Sequence, residues 1–122
     1  MPIQKEVLLV DDLRDPSDVR KHQDELTNEW ICFEDEEVEI ARTGEEGINL
    51  LQTRRWETLL LDNDMGAGIE GHEVLSFLQD NPQHLPSVII LVTANIIAGN
   101  RMSDDLRILK ANGLIRDFGW RR

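Results

Sequence analysis

Short runs of apolar residues separated by helix-like segments restrict most strongly how this chain can fold. Three runs, at 6–10, 57–61 and 88–92, are almost continuously apolar, and an alternating stretch lies at 38–40. Runs of this length are too short for buried helices and are typical of strands that are buried on both faces, as in a parallel sheet. A fifth strand is predicted at 114–118.

The segments between these runs carry helix signals. Residues 15–16 (Asp-Pro) are an N-cap and first-turn pair, and helical spacing then continues to Trp30. Thr43 and Glu46 form a capping-box pattern, and Gly113 is expected to end the last helix. Apolar residues at helical spacing define two further helices: Val74, Leu75, Leu78, Met102, Leu106 and Leu109.

Alternating strands and helices predict a three-layer α/β fold, with an open parallel sheet between helices. We expect the strand order 2-1-3-4, extended by the fifth strand, and a single domain over residues 1–122, because no linker-like segment interrupts the chain. No helical segment follows the fifth strand, so a closing helix is expected to be missing. An apolar face near the C-terminus would then be exposed, and a second copy or another protein is expected to cover it.

The charge of the chain excludes some partners. It carries 24 acidic and 13 basic residues, a formal net charge of −11, which repels duplex nucleic acid and attracts cations. Residues 101–122 are locally basic and mark either an interaction end or an ordinary solvated tail. A lone cysteine, Cys32, and the absence of a secretory pattern or an apolar stretch of membrane-spanning length predict a cytoplasmic protein without membrane attachment.

Polar residues gather where three of the predicted strands end. They are Asp11, Asp12, Asp62, Asp64, Thr93 and Asn95. In an open parallel sheet, ligands bind at the carboxyl ends of the strands, so these side chains are expected to converge. Crowded carboxylates repel one another unless a cation neutralises them, and Mg²⁺ or Mn²⁺ with oxygen ligands suits that role. The alternative is that the acids are helix caps or solvated loop residues.

The motifs "VLLVDD", "LLLD", "GHEVLSFL" and "VIILVTA" resemble the receiver domain of response regulators over nearly the whole chain. The resemblance implies a flavodoxin-like fold, with Asp11 and Asp12 as a metal pair and Asp62 as phosphoryl acceptor. Thr93 would be the hydroxyl after the fourth strand. The Lys-Pro pair that receivers carry after the fifth strand is absent, and Arg116 and Asp117 stand in that region.

A narrower set of motifs is similar to the receiver-like family proposed to process cyclic phosphates. "VDDLRDP", "LDNDMG" and "TANIIAGNRM" follow the patterns of that family, with one extra residue before Gly99. The matching residues are Arg14, Pro16, Asp64, Gly66, Asn95, Gly99, Arg101 and Met102. Two histidines of the family pattern are replaced by Asn63 and Val92, and Ile96 replaces a proline. Neither asparagine nor valine can accept and release a proton near neutral pH. If the family's two histidines act as acid and base, their replacement argues against hydrolysis by this chain.

Two functional classes follow. The first is a metal-dependent site that accepts a phosphoryl group from a phosphodonor or acts on a phosphate-bearing small molecule, with Asp62, Asp64, Thr93, Asn95 and Arg101 as reacting or phosphate-facing residues. The second is an interaction module that keeps the fold without the chemistry and regulates or inhibits a partner protein through its acidic surface.

The remaining side chains to consider are two arginines, one histidine and the three tryptophans. Arg14 and Arg101 either clamp a phosphate or form surface ion pairs. His72, beside the glycine-rich loop, is expected to be structural or exposed. Trp30 and Trp56 are expected in the core. Trp120 is expected either to be exposed as an anchor for a partner or to lie in a disordered end.

Overall fold

A computed structural model describes residues 6–19, 22–23, 30–31 and 37–120 of the chain. Five strands form a parallel sheet: β1 (Val7–Val10), β4 (Val38–Ala41), β5 (Thr58–Leu61), β6 (Val88–Leu91) and β7 (Asp117–Trp120). Two short segments, β2 (His22–Gln23) and β3 (Trp30–Ile31), pair antiparallel. The parallel sheet has the order β4-β1-β5-β6-β7, which confirms the predicted order with the fifth strand present.

The last residues of the five parallel strands lie in one row across the sheet. Val10 pairs with Ala41 on one side and with Leu61 on the other, and the row continues through Leu91 to Trp120. The residues that follow these strands therefore emerge at one edge. This register places the acidic residues after β1 beside those after β5.

Four helices are described: α1 (Pro16–Val19), α2 (Gly44–Thr53), α3 (Gly71–Asp80) and α4 (Ile96–Ala111). As predicted, the hydroxyl of Thr43 caps α2 by accepting the N–H of Glu46 at 3.1 Å. The helix α4 ends where predicted, because Gly113 adopts a φ of 74° just beyond it. Helices α2, α3 and α4 contact their neighbours in turn and share one face of the sheet.

The prediction of one continuous helix to Trp30 is wrong where the chain is described. The helix α1 is described to Val19, and residues 22–23 pair instead with 30–31 as antiparallel strands. Leu26, which also supported that helix, lies outside the described residues. The helix was predicted from four positions at helical spacing, and one of them is the polar Gln23. An apolar stripe that is interrupted in this way stabilises a helix only weakly.

Both faces of the sheet carry buried apolar clusters. The larger cluster fills the space beneath α2–α4 and includes Trp56, as predicted. The smaller lies on the opposite face: Val7, Leu9, Val38, Leu60, Ile90 and Val92. Ile90 and Val92 are only 5% and 1% exposed, and Ile40 and Val88 are partly buried, so the described residues do not show the exposed apolar face that was predicted near the C-terminus. No helix in the described part of the chain is long and apolar enough to span a bilayer.

Trp120 lies in the core, not in an exposed or disordered end. The side chain is 3% exposed, and its Nε1 donates a hydrogen bond to the carbonyl oxygen of Thr93 at 2.9 Å. The indole ring covers Gly99 of α4, where a Cβ atom would overlap it. Because β7 extends the sheet to this residue, the tryptophan is drawn into the interior beneath α4.

Candidate functional site

Three carboxylates converge at the carboxyl edge of the sheet. Asp11 and Asp12 follow β1 and Asp62 follows the neighbouring β5, and one oxygen from each lies within 4.8 Å of the others. Asp11 is fully buried and Asp62 is 5% exposed, whereas Asp12 is partly exposed. Three carboxylate ligands with open space in front of them suit Mg²⁺, which takes few protein ligands and retains water.

Asp64 lies outside this cluster of three carboxylates, although it was expected within it. It is exposed, and its Oδ1 accepts hydrogen bonds from Nδ2 of Asn63 at 3.0 Å and from Nδ2 of Asn95 at 3.2 Å. The expectation assumed an extended chain through residues 62–64, in which alternate side chains point the same way. The strand β5 ends at Leu61, and a bend at Asn63 removes that alternation.

Arg14 provides a counter-ion within the acidic cluster. Its Nη1 donates to Oδ2 of Asp11 at 2.9 Å and lies 3.6 Å from Oδ1 of Asp62. The other oxygen of Asp11 accepts the backbone N–H groups of Leu13 and Arg14, each at 2.9 Å. Of the two readings of Arg14, the structure therefore shows an ion pair with the acids.

The carboxyl group of Asp62 has a higher pKa than an ordinary aspartate. Burial, reinforced by the nearby charge of Asp11, raises the pKa of Asp62 to about 6. Arg14 and the backbone N–H of Asn63, which donates to Oδ1 at 2.8 Å, act in the opposite direction. Two buried carboxylates thus share one partly exposed guanidinium, and this leaves the cluster short of positive charge.

Arg42 is a site residue that the sequence patterns did not reveal. It follows β4, and its Nη1 donates to the carbonyl oxygens of Asp11 at 3.2 Å and Arg14 at 2.6 Å. Its Nη2 also donates to Oδ1 of Asp15 at 2.6 Å. Arg42 therefore ties the loop that carries the first acid pair to the next strand. The sequence feature that could have indicated Arg42 is its position directly after β4. Because β4 pairs with β1, the residues that follow the two strands lie side by side.

The glycine-rich loop allows α3 to start directly against the site. Gly66 and Gly68 have φ angles of 81° and 75°, in the left-handed region that glycine adopts without strain. A Cβ atom on Gly71 would overlap the carbonyl oxygen of Asp62 and lie 2.7 Å from Cα of Asn63. Gly71 therefore permits a close backbone approach that fixes the position of Asp62.

Thr93 and Asn95 lie where β6 meets α4. Thr93 is 1% exposed and interacts with Asp62 through its side chain, while its Oγ1 accepts the N–H of Asn95 at 3.1 Å. Oδ1 of Asn95 accepts the N–H of Ala98 at 3.0 Å and so caps α4. Asn95, expected to face a phosphate, thus caps a helix, while its Nδ2 reaches Asp64.

Two adjoining clefts open at this edge. The first, of about 530 Å³, lies over the acidic cluster and includes Asp64 in its wall. The second, of about 550 Å³, lies between α3 and α4 and is lined by Asn63, His72, Asn95 and Arg101 among others. Arg101, expected to face a phosphate, belongs to the second cleft. His72, expected to be structural or exposed, is exposed and lines the same cleft.

Solved structures share the fold of this chain. The response regulator receiver domain protein (CheY-like) from Methanospirillum hungatei JF-1 is 22% identical, with a TM-score of 0.53 over 98% of this chain and 82% of that one. A structure of the adenylate cyclase from Rhodopirellula baltica is 21% identical, with a TM-score of 0.51 over 98% and 77% of the two chains. Identities this low support a common fold only.

A family model identifies the chain more closely than the solved structures do. No curated protein matches it. The model for the cyclic-phosphate processing receiver domain matches residues 7–108, which include the acidic cluster and both clefts. Because that match covers most of the 122 residues and the sheet has the receiver order, the protein belongs to the cyclic-phosphate processing receiver domain family.

Proposed function

We propose that this protein binds one Mg²⁺ or Mn²⁺ through Asp11, Asp12 and Asp62 and handles phosphate groups at that position. The observation that carries the proposal is the convergence of three carboxylates from two neighbouring strands within 4.8 Å. A bound divalent cation would neutralise these charges and polarise a phosphoryl oxygen.

We place the protein in the cytoplasm, since a lone cysteine suits a reducing compartment.

Two reactions suit this site, the processing of a cyclic phosphate and the transfer of a phosphoryl group to Asp62. With a pKa of about 6, Asp62 is mostly ionised at pH 7 and can act as a ligand or as a nucleophile. In transfer, a carboxylate oxygen of Asp62 would form the new bond to phosphorus while the bond to the donor oxygen breaks. Thr93, whose side chain bonds Asp62, would then donate its hydroxyl proton to a phosphoryl oxygen instead of to the free carboxylate.

Replacing Asp12 is expected to weaken metal binding strongly, whereas replacing Asp64 is not. Asp12→Asn takes one of three charged ligands from the cluster, whereas Asp64→Asn changes a carboxylate that lies outside it. Isothermal titration with Mg²⁺ and Mn²⁺ should show affinity reduced at least tenfold in Asp12→Asn and changed less than threefold in Asp64→Asn. Equal losses in both variants would show that general negative charge, not the cluster, attracts the ion. No binding to the wild type would refute the proposal.

Arg14 is expected to compete with the metal ion. Its guanidinium already bonds Asp11 and lies near Asp62, so a cation that binds both acids must displace or repel it. Arg14→Gln should therefore bind Mn²⁺ about fivefold more tightly, equivalent to about 1 kcal/mol. Arg107→Gln, which removes the same charge from a distant pair with Asp104, should leave the affinity unchanged. Weaker binding in Arg14→Gln would mean that the arginine supports the metal site.

A second candidate function is an interaction module that regulates a partner protein. The favouring observation is that apolar side chains are exposed at the same edge: Leu13 is 82% and Ile97 75% exposed. With Arg14 paired to Asp11, the acids are also partly neutralised by the chain itself. A wild-type protein that binds neither Mg²⁺ nor Mn²⁺ would favour this function over the first.

A further inference from the structure

The cleft between α3 and α4, here called the α3–α4 cleft, contains two charged side chains of opposite sign. Arg101 and Asp105 both line it and lie one turn apart on α4. Among the described residues, neither makes a hydrogen bond or an ion pair, either with the other or with a third group. A basic residue four positions before an acidic one is the weaker order for an ion pair within a helix. In the part of the chain that the structure describes, the cleft therefore offers an unpaired cation and an unpaired anion.

The other polar groups of the α3–α4 cleft have partners within the protein. Oδ1 of Asn63 accepts the backbone N–H of His72 at 3.0 Å, and its Nδ2 donates to Asp64, also at 3.0 Å. Asn95 caps α4 through Oδ1 and reaches Asp64 through Nδ2. On α3, the hydroxyl of Ser76 donates to the carbonyl oxygen of His72 at 3.0 Å. These bonds fix the walls of the cleft, so the charges of Arg101 and Asp105 are the groups that would select a ligand.

Apolar surface lies beside the two charges. Met102 is 1% exposed and forms part of the wall, whereas Ile97 lines the cleft and is 75% exposed. An apolar ligand group that covers Ile97 would remove this surface from water, which is favourable. The cleft volume of about 550 Å³ lies within the range of small-molecule sites, roughly 300–1,000 Å³.

The charges are ordered along the axis of α4. The helix begins at Ile96, so its positive end lies beside the part of the cleft that Ile97 and Ala98 line. Arg101 follows about one turn later, and Asp105 follows one turn after that. A negative ligand group is therefore favoured over the first two turns of α4 and a positive group beside Asp105. Side chains one turn apart are separated by about 5–6 Å at Cβ, which a small ligand can span.

We propose that the α3–α4 cleft binds a small zwitterion, and that the ligand class is a free amino acid with an apolar side chain. Its carboxylate would bond the guanidinium of Arg101, its ammonium group would bond the carboxylate of Asp105, and its side chain would cover Ile97. A simple anion would be repelled by Asp105, and a simple amine would be repelled by Arg101. This site goes beyond the function proposed above and does not depend on it, because no residue lines both clefts.

Three probes with the same carbon skeleton test the choice of ligand. They are L-leucine, 4-methylpentanoate, which lacks the ammonium group, and 3-methylbutylamine, which lacks the carboxylate. Chemical shifts of the ¹⁵N-labelled, metal-free protein are followed as each probe is added. We expect leucine to shift the amide signals of residues that line the cleft and to bind at least tenfold more tightly than either analogue. A wild type that shows no shift with leucine, or that binds either analogue as tightly, would overturn the proposal.

Substitutions on α4 test the two charges separately. Arg101→Gln and Asp105→Asn should each weaken leucine binding at least tenfold. Asp105→Asn should also strengthen binding of 4-methylpentanoate, because the carboxylate that repels it is gone. The controls Arg107→Gln and Asp104→Asn make the same charge changes on α4 outside the cleft, and leucine affinity should change less than twofold in them.

All four substituted positions are at least partly exposed, so the variants are expected to fold, which circular dichroism checks. Equal losses of leucine affinity in the cleft variants and in the controls would show that leucine responds to the general charge of α4, and this would overturn the proposal. Because the titrations contain no metal ion, their outcome is separate from the test of the acidic cluster with Mg²⁺ and Mn²⁺.

Discussion

Gly71→Ala is expected to lower the free energy of unfolding by about 3 kcal/mol, the upper end of what overpacking costs. The added Cβ would overlap the carbonyl oxygen of Asp62, a backbone atom that no rotamer change can move aside. Relief requires α3 and the loop after β5 to separate, and this would displace Asp62 from the acidic cluster. Urea denaturation followed by far-UV circular dichroism measures the loss.

Gly113→Ala is the matched control for Gly71→Ala. Gly113 has a φ of 74°, but a Cβ there would meet nothing within 4 Å. Its replacement should therefore cost only the strain of a left-handed backbone, about 1 kcal/mol. It should also leave Mn²⁺ affinity unchanged, whereas Gly71→Ala should reduce it. Equal destabilisation by the two substitutions would show that the contact between Gly71 and Asp62 is not a tight one.

Asp62→Asn is expected to stabilise the metal-free protein by about 3 kcal/mol at pH 8. The folded protein raises the pKa of Asp62 from 3.8 to about 6, so it favours the protonated carboxyl, which asparagine imitates. The contribution of this group to stability is therefore full below pH 4 and is lost as the pH rises through about 6. The advantage of the variant should accordingly vanish near pH 4.

Denaturation of the wild type and Asp62→Asn at pH 4 and pH 8 isolates this contribution, because the other titrating groups are common to both proteins. Adding Mg²⁺ at pH 8 should then raise the melting temperature of the wild type by mass action and that of the variant much less. A variant that is less stable than the wild type at pH 8 would show that the attraction of Arg14 for Asp62 outweighs the cost of burial. Equal Mg²⁺ shifts would show that Asp62 is not a ligand.

A protein partner or second copy at the C-terminal end of the chain stays a prediction, but the reason for expecting it there no longer holds. It was inferred from an apolar face left open by a missing helix, with Trp120 near the contact. The apolar cluster on that face is buried, with Ile40 and Val88 partly buried beside it, and Trp120 lies in the core beneath α4. Exposed Leu13 and Ile97 at the acidic edge are the better candidates for a protein contact.

The sequence alone determined the five strands of the parallel sheet, their order and the edge at which the site lies. Continuously apolar runs of strand length avoid water only when both faces of the sheet are covered. Parallel strands all end at the same edge of the sheet, so their carboxyl ends lie together. Asp11, Asp12 and Asp62 were therefore predictable as neighbours. The motif resemblance also pointed to the family that the chain belongs to.

Only the tertiary structure decided which polar groups bond to one another. A bend after β5 separated Asp64 from the other acids, because strand alternation ends where the strand ends. Arg14 and Arg42 reach the acidic residues through long side chains, whose direction no spacing rule predicts. The contact between Asn63 and His72 joins residues nine positions apart, and it exists because Gly71 lets α3 begin against the loop. Sequence patterns report local periodicity, whereas these contacts depend on how separate elements pack.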